Sequence, residues 1–411
     1  MRLRLICKYL AIISIVSTSC VKGPEGGILE NAHDATGYFL DDKSIEIYAK
    51  TSDKYTLVYE DNDGKPLDDF APICELDYKK QNQYKDFIEI NIAPCEAESI
   101  GIYDSKGARR GVVDISSFKP DYSEEPSYSF GLLSDVHIGK TGVFAEDDFE
   151  RALDFFESEE VIWTCICGDV TQKGKEDQLK IYKDIVSKRN LPIYVTTGNH
   201  DCTTSSKGID AQLWSKYTGV PIVYEKTIVL NNRTDHFLFL GMSYYDFETP
   251  YLESSLSWLE SKLKDYKDER CFVFTHLFFP SRAGNLNYIY PAENCLRGEQ
   301  LNRLEKLCDT YINSIWFSGH SHWKWDLQHY QKRANIHRSY FFSEPATGWC
   351  VHIPSCGYPI TSDGTTRVGI EEDSEGAIVQ VYENHIDIRG INFNDGRYLP
   401  IAVYRLETAT M

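Results

Sequence analysis

Residues 191–201 have the sequence Leu-Pro-Ile-Tyr-Val-Thr-Thr-Gly-Asn-His-Asp. The part that precedes the glycine is mainly apolar or β-branched, which predicts a buried strand. Gly198 then lets the chain turn sharply, because glycine has no Cβ that would clash. Asn199, His200 and Asp201 follow directly, and their side chains can bind a metal or exchange protons. A single stretch of this kind is more often an ordinary turn, since Asn, Gly and Asp are frequent turn residues.

The same pattern, an apolar stretch that ends in Asp or His, occurs four more times along the chain. Ligands bind at the carboxyl ends of strands in open α/β sheets, so we expect the five strand ends to converge on one site. The four further stretches and their terminal residues are 129–133 with Asp135 and His137, 161–167 with Asp169, 271–275 with His276, and 314–317 with His320 and His322.

Composition limits the number of domains and the kinds of partner. A chain of 411 residues with 42% hydrophobic residues predicts two or three folded domains. The net charge of −19 argues against binding to nucleic-acid polymers, because that requires Lys and Arg to neutralise phosphates. A small phosphorylated substrate remains compatible with this charge if a metal ion supplies positive charge locally.

The N-terminus resembles an export signal. Arg2, Arg4 and Lys8 precede an apolar segment, residues 9–16, that is too short to span a bilayer. Residues 17–20, Ser-Thr-Ser-Cys, resemble a bacterial lipobox, which predicts a signal peptide over 1–20 and a lipid on Cys20. We therefore expect an exported protein that is anchored to the cell envelope through this lipid. Removal of the three basic residues of the signal peptide would change the net charge from −19 to −22. The alternative is a plain secretory signal with an incidental cysteine.

Ten cysteines remain beyond Cys7 and Cys20. In an oxidising compartment some of them can form disulfides, and we expect a bridge between Cys350 and Cys356 or between Cys74 and Cys95. A zinc site built from thiolates is disfavoured because the sequence contains no Cys-x-x-Cys pair.

Hydrophobic patterning divides the rest of the chain into segments. After a tether over 21–42, short alternating strands over 43–118 predict a small all-β, immunoglobulin-like domain. Residues 119–127 contain two prolines and several acidic residues and are expected to be a linker. Strands then alternate with four amphipathic helices, predicted at 146–159, 177–189, 253–264 and 299–308, which indicates an α/β catalytic domain over 128–345. Strands over 346–411 are expected to complete that domain as part of a second sheet.

The motifs Asp-x-His, Gly-Asp, Gly-Asn-His-Asp, a lone His and Gly-His-x-His, in this order, resemble those of the calcineurin-like metallophosphoesterases. The resemblance covers residues 129–322 and implies an α/β fold in which a two-sheet β-sandwich is flanked by helices. The run Gly-Asp-Val-Thr-Gln at 168–172, followed by Lys173 and Gly174, is most similar to the cyclic-nucleotide phosphodiesterase branch.

This resemblance implies a cofactor of two divalent metal ions and hydrolysis of phosphoester bonds by a metal-bound hydroxide. Imidazole and carboxylate ligands suit Mn, Fe or Zn. Asp169 would bridge the ions, because its two oxygens can serve ions roughly 3.5–4 Å apart. The other ligands would be Asp135, His137 and His322 for one ion and Asn199, His276 and His320 for the second.

His200 is expected to act on the substrate rather than on a metal. It stands next to Asn199 and can reach the leaving-group oxygen as a general acid or charge stabiliser. Asp201 is expected to orient the His200 ring, as carboxylates commonly do for imidazoles. The remaining histidines have no strand-end context and are interpreted as structural: His236, His329, His337, His352 and His385.

Two departures disfavour two related families, and the missing Arg of the second, together with the negative net charge, favours a phosphodiester substrate. Purple acid phosphatases carry a Tyr ligand three residues after the bridging Asp, where this chain has Gln172, so no tyrosinate-to-iron absorption band is expected. Protein Ser/Thr phosphatases have an Arg after the bridging Asp, and residues 171–174 contain none. Arg282 or Arg297 could still supply a phosphate contact. A phosphomonoesterase on the same site, or a surface binding lipoprotein with a vestigial metal site, remain the alternatives.

Overall fold

The computed structural model divides into two compact units, one formed by Met1–Asp68 and Pro72–Pro120 and the other by Asp69–Ala71 and Asp121–Met411. The predicted signal peptide and Cys20 lie outside the described residues, as do Cys95 and His329. The residues that the structure describes are 35–39, 44–49, 54–77, 85–89, 93–94, 96–115, 124–202, 208–230, 233–285, 289–327, 334–338, 340–341, 344–345, 347–362, 366–370 and 373–408.

The described part of the first unit consists of two antiparallel sheets. One sheet has the order β1-β2-β5 and the other β4-β3-β6-β7. Leu57, Ile100 and Ile102 are fully buried in the larger sheet. The immunoglobulin-like arrangement and the predicted domain boundaries stay predictions. The strands are β1 (Ala35–Phe39), β2 (Ser44–Ala49), β3 (Lys54–Glu60), β4 (Cys74–Asp77), β5 (Lys85–Glu89), β6 (Ser99–Asp104) and β7 (Arg109–Asp114).

The second unit contains two six-stranded sheets and the helices. The strands are β8 (Tyr128–Leu133), β9 (Thr164–Ile166), β10 (Ile193–Val195), β11 (Val223–Val229), β12 (Thr234–Leu240), β13 (Arg270–Phe274), β14 (Ser314–Ser318), β15 (Ile336–His337), β16 (Tyr340–Phe341), β17 (Glu344–Pro345), β18 (Trp349–His352), β19 (Ile360–Ser362), β20 (Arg367–Ile370), β21 (Glu375–Val381), β22 (His385–Asn392) and β23 (Arg397–Glu407). The helices are α1 (Ala145–Ser158), α2 (Glu176–Val186), α3 (Ala211–Thr218), α4 (Glu253–Asp265) and α5 (Gly298–Thr310), with a short 3-10 helix at Ala292–Asn294.

Strand direction brings the predicted strand ends to one edge of each sheet. The first sheet has the order β10-β9-β8-β21-β22-β23, and β8, β9 and β10 run parallel. Leu133, Ile166 and Val195, the last residues of these three strands, pair in register. In the second sheet, of order β11-β12-β13-β14-β18-β15, the neighbours β13 and β14 are also parallel. The loops that follow all five strands carry the predicted site residues.

The two large sheets pack face to face through aromatic side chains. Phe130 of β8 is fully buried, and its ring meets four phenylalanines of the facing sheet. The ring centroids lie 5.3 Å from Phe237, 5.5 Å from Phe272, 6.4 Å from Phe274 and 6.3 Å from Phe317, all edge to face. The predicted α/β fold with a two-sheet sandwich is therefore confirmed.

The second unit differs from the sequence-based expectations in three features. Helix α3 was not predicted, although Asp210 accepts hydrogen bonds from the backbone at its start and Gly219 ends it with a φ of 77°. Strands β21 to β23 extend the first sheet beside β8 rather than a second sheet, because β21 pairs antiparallel with β8. The bridge expected between Cys350 and Cys356 does not form, and both are buried thiols.

The position of Cys350 explains why that bridge is wrong. Its Sγ lies 3.7 Å from the Sγ of Cys308 in α5, whereas Cys356 Sγ lies 3.7 Å from the hydroxyl of Ser374.

No helix among the described residues is both long and apolar enough to cross a membrane.

Truncation of Phe130 should destabilise the domain strongly. Phe130→Ala leaves a cavity between the two sheets and should cost about 3–5 kcal/mol of unfolding free energy. Phe144→Ala is the matched control, because that side chain is 62% exposed and should change stability by less than about 0.5 kcal/mol. Urea unfolding of both variants measures the difference. Equal midpoints would contradict the packing described for Phe130.

Candidate metal centre

The strand-end loops hold their polar residues in an unusual backbone conformation. Five residues adopt positive φ angles: 52° at Asp135, 59° at His137, 50° at Asp169, 77° at His320 and 64° at His322. This left-handed region is uncommon for residues other than glycine, and such residues cluster at functional sites. The tight turns aim these side chains inward from the ends of β8, β9 and β14.

Two glycines allow the loops to approach closely. A Cβ on Gly198 would lie 2.1 Å from Asp169 Oδ1, and one on Gly319 would lie 1.8 Å from Ser134 Oγ. Neither distance is compatible with a larger residue unless the loop moves. The glycines of the Gly-Asn-His-Asp and Gly-His-x-His motifs are therefore required by packing against the neighbouring loops.

One group of donor atoms lies around His137. Asp135 Oδ1 is 3.0 Å from His322 Nε2 and 3.6 Å from His137 Nε2. The two imidazole Nε2 atoms are 3.3 Å apart, and Asp169 Oδ2 lies 3.6 Å from His137 Nε2. All four side chains are buried.

A second group shares Asp169 with the first. Asp169 Oδ2 is 3.2 Å from His276 Nε2, and Asn199 Oδ1 is 3.0 Å from the same nitrogen. His320 belongs to this group as well. Its Nε2 faces the Asn294 carbonyl at 2.8 Å, which leaves Nδ1 available to the group.

Hydrogen bonds on the outer atoms fix the orientation of each donor. Asp135 Oδ2 accepts from the Ser134 hydroxyl at 2.6 Å and from the His320 amide at 2.8 Å. His276 Nδ1 donates to the Cys167 carbonyl at 2.8 Å, and His322 Nδ1 to the Tyr358 carbonyl at 3.2 Å. The inner atoms of these side chains are thereby left to face one another.

The inner carboxylate oxygens show that the site suits a cation. Asp135 Oδ1 and Asp169 Oδ2 are buried and have no hydrogen-bond partner among the described residues. A buried, unpaired carboxylate oxygen is costly unless positive charge lies close to it. Imidazole nitrogens and carboxylate oxygens within 4.8 Å of one another fit a transition-metal site.

The charges of these groups are coupled. Burial favours the neutral form of Asp135 and Asp169, but the neighbouring histidines outweigh it and hold the pKa of both carboxyls below its usual range. Burial also disfavours the charged form of His276, yet Asp169 and Asp135 raise its pKa to about 9. Burial lowers the pKa of His137 to about 4 and that of His320 to about 3, which favours the neutral form of both rings.

His200 lies beside the cluster in a half-buried position. Its backbone amide donates to Asp169 Oδ1 at 2.8 Å, and its ring meets the His137 ring edge to face at 4.8 Å. Its Nδ1 lies 3.0 Å from the Gln172 carbonyl and 3.1 Å from the Gln172 side-chain nitrogen. Nδ1 faces Gln172, and the ring forms a group of possible metal ligands with His137 and Asp169.

The expectation that Asp201 orients His200 is wrong, because Gln172 holds that ring. The Asp201 carboxylate accepts instead from the backbone amides of Gly198, Val170 and Thr171 at 2.9, 3.2 and 2.8 Å, and from the Thr171 hydroxyl at 2.8 Å. Burial, followed by the charge of Asp169, raises its pKa to about 6. Asp201 therefore ties the loop after β9 to the loop after β10.

Other side chains named from the sequence have different surroundings. Arg282 pairs with Asp309 of α5, and Arg297 pairs with Glu248 at 3.0 Å. His352 is fully buried, and its Nε2 lies 2.8 Å from the hydroxyl of Ser321, which stands between His320 and His322.

Two tyrosines that no sequence motif marks border the cluster. Tyr358 Oη lies 3.3 Å from His137 Nε2, and Tyr290 Oη lies 3.3 Å from His320 Nε2. Both lie in segments without a recognisable motif, and only the fold brings their side chains to the cluster.

One part of the chain is similar to a known family and to a curated protein. The family model described as Calcineurin-like phosphoesterase matches residues 128–324. A probable glycerophosphodiester phosphodiesterase GpdQ from Arcobacter nitrofigilis is 26% identical over 160 residues, which covers 35% of this chain and 55% of that protein. This chain thus spans about half the length of the curated relative that it matches.

Two solved structures resemble this chain. A dimetal phosphatase from Danio rerio has a TM-score of 0.49 at 15% identity, with 69% of this chain and 100% of that chain covered. A purple acid phosphatase from yellow lupin (Lupinus luteus) has a TM-score of 0.47 at 11% identity, with 92% of this chain and 74% of that chain covered.

Proposed function

We propose that this protein belongs to the calcineurin-like phosphoesterase family, whose model matches residues 128–324, and that it hydrolyses phosphodiesters at a centre of two divalent metal ions. The observation that carries the proposal is a pair of buried carboxylate oxygens, Asp135 Oδ1 and Asp169 Oδ2, that have no hydrogen-bond partner among the described residues and face imidazole nitrogens. Such a donor set suits Mn, Fe or Zn.

The two groups of donors would divide between the ions. Asp135, His137 and His322 would hold one ion, and Asn199, His276 and His320 the other, with Asp169 shared. When bound, the ions would supply Lewis acidity toward the phosphoryl oxygens and lower the pKa of a water molecule. Two carboxylates do not neutralise two divalent cations, so the centre would keep positive charge for an anionic substrate.

His200 would serve the leaving group. Its Nδ1 lies 3.0 Å from the Gln172 carbonyl and would donate a hydrogen bond to it. A protonated Nε2 can therefore donate to the leaving oxygen without any turn of the imidazole. Contact with the His137 ring places this nitrogen next to the donor cluster.

Local charge supports a diester rather than a monoester. A monoester dianion needs more positive charge than a diester monoanion, and the two arginines that could supply it are engaged with Asp309 and Glu248. The relative in Arcobacter nitrofigilis is named as a probable glycerophosphodiester phosphodiesterase, which points the same way.

Export and lipid attachment at Cys20 form a separate proposal, supported by the basic, apolar and Ser-Thr-Ser-Cys pattern of residues 1–20. It would place the enzyme on the cell envelope, where phosphodiester head groups and extracellular nucleotides would be accessible substrates.

Kinetics on matched substrates test the proposed reaction. With Mn added, kcat/KM for bis-(p-nitrophenyl) phosphate should exceed that for p-nitrophenyl phosphate, and His200→Ala should lower diester turnover by roughly 100-fold. His337→Ala, which changes a histidine of β15, is the control and should retain activity. A clear preference for the monoester would assign a phosphatase. Absence of hydrolysis in metal-loaded protein would favour a binding lipoprotein.

Fractionation tests the anchor. Cys20→Ser removes the only thiol of the lipobox and should move the protein from the membrane fraction to the soluble fraction. Labelling with a radioactive fatty acid should be lost in the same variant. Unchanged fractionation and labelling would contradict lipid attachment at Cys20.

A further inference from the structure

Tyr358 brings a phenol oxygen to the inner face of the donor cluster. Its Oη lies 3.3 Å from His137 Nε2, the same nitrogen that faces Asp135, Asp169 and His322. The side chain is buried, and its ring packs against the His137 ring at 4.8 Å and the His322 ring at 4.3 Å between centroids.

The spacing of these atoms matches that of ligands on one ion. Two donors each about 2.1 Å from a metal lie about 3.0–3.4 Å apart at octahedral or tetrahedral angles. The distance from Tyr358 Oη to His137 Nε2, 3.3 Å, equals that between the Nε2 atoms of His137 and His322. We infer that Tyr358 is a further ligand of the ion held by Asp135, His137 and His322. The inference rests on the proposed metal centre.

Backbone hydrogen bonds connect Tyr358 to two of the proposed metal ligands, His322 and Asp135. Its carbonyl accepts from His322 Nδ1 at 3.2 Å. Its amide donates to the Ser355 hydroxyl at 2.9 Å, and that hydroxyl donates to the Asp135 carbonyl at 2.8 Å. The phenol oxygen is thus fixed relative to two of the proposed ligands of the same ion.

Lys140 adds a charge that suits a phenolate. Its Nζ lies 4.4 Å from the centroid of the Tyr358 ring, and its amide donates to the His137 carbonyl at 3.0 Å. A cation over an aromatic face stabilises electron density on the ring. Coordination of Tyr358 would release the phenol proton to solvent and place a negative charge beneath this ammonium group.

Coordination by Tyr358 would reverse the expectation, drawn from Gln172, that no tyrosinate-to-iron absorption band appears. A ferric ion bound by a phenolate absorbs visible light, so iron-loaded protein should be coloured although the motif position for a Tyr ligand holds Gln. The tyrosine would come from the segment between β18 and β19 instead.

Tyr290 offers a matched control. Its Oη also lies 3.3 Å from a site histidine, but from His320 Nε2, the nitrogen that faces the Asn294 carbonyl. Tyr290 therefore lies on the outer side of His320 and should not reach an ion.

The test is visible absorption of protein loaded with ferrous iron and then oxidised in air, normalised to bound iron. Wild type and Tyr290→Phe should show the band, whereas Tyr358→Phe should lose at least nine-tenths of it. Resonance Raman excitation in the band should show tyrosinate modes.

Each contrary outcome has a separate meaning. Iron-bound wild type without the band, or a band that persists in Tyr358→Phe, would overturn the assignment of Tyr358 and leave the metal centre intact. Failure of the wild type to bind iron, manganese or zinc would overturn both the assignment and the proposed function.

Discussion

Two buried carboxylates, Asp135 and Asp169, impose the constraint on which the centre of the second unit depends. Both are almost fully buried, both are held in their charged form, and each leaves one oxygen without a hydrogen bond among the described residues. Burial of such charges costs several kcal/mol each unless cations compensate. Protonation of His276 is one way to supply positive charge, and a bound metal, which would replace the proton on its Nε2, would supply more.

The fold keeps these charges together at the cost of local backbone strain. Five proposed ligand residues adopt left-handed conformations, which cost about 1–3 kcal/mol each when a structure enforces them. Parallel strands in register deliver the loops to one edge, and the phenylalanine-rich interface between the sheets fixes that edge. Asp201 then joins two of the loops through backbone amides, which fixes the positions of the groups that would bind metal.

The sequence predicted what depends on local pattern. The strands that end at Asp135, Asp169 and His276 were found because apolar runs stop at polar residues, and four helices were found from their periodicity. Contacts between distant segments left no such signal. Local pattern therefore predicts the wrong sheet for β21, gives Asp201 the role that Gln172 holds, and pairs Cys350 with Cys356, whereas Cys350 lies beside Cys308. Tyr358 reaches His137 across more than two hundred residues of chain, and no motif marks it.

Metal content tests the central claim, that Asp169 is shared by two ions, most directly. Elemental analysis after dialysis should find two tightly held divalent ions per chain in the wild type. His322→Ala should keep about one of them, because it removes a ligand of a single ion. Asp169→Ala should keep neither, because both ions lose their common charge partner. Two tightly held ions in Asp169→Ala would contradict the account.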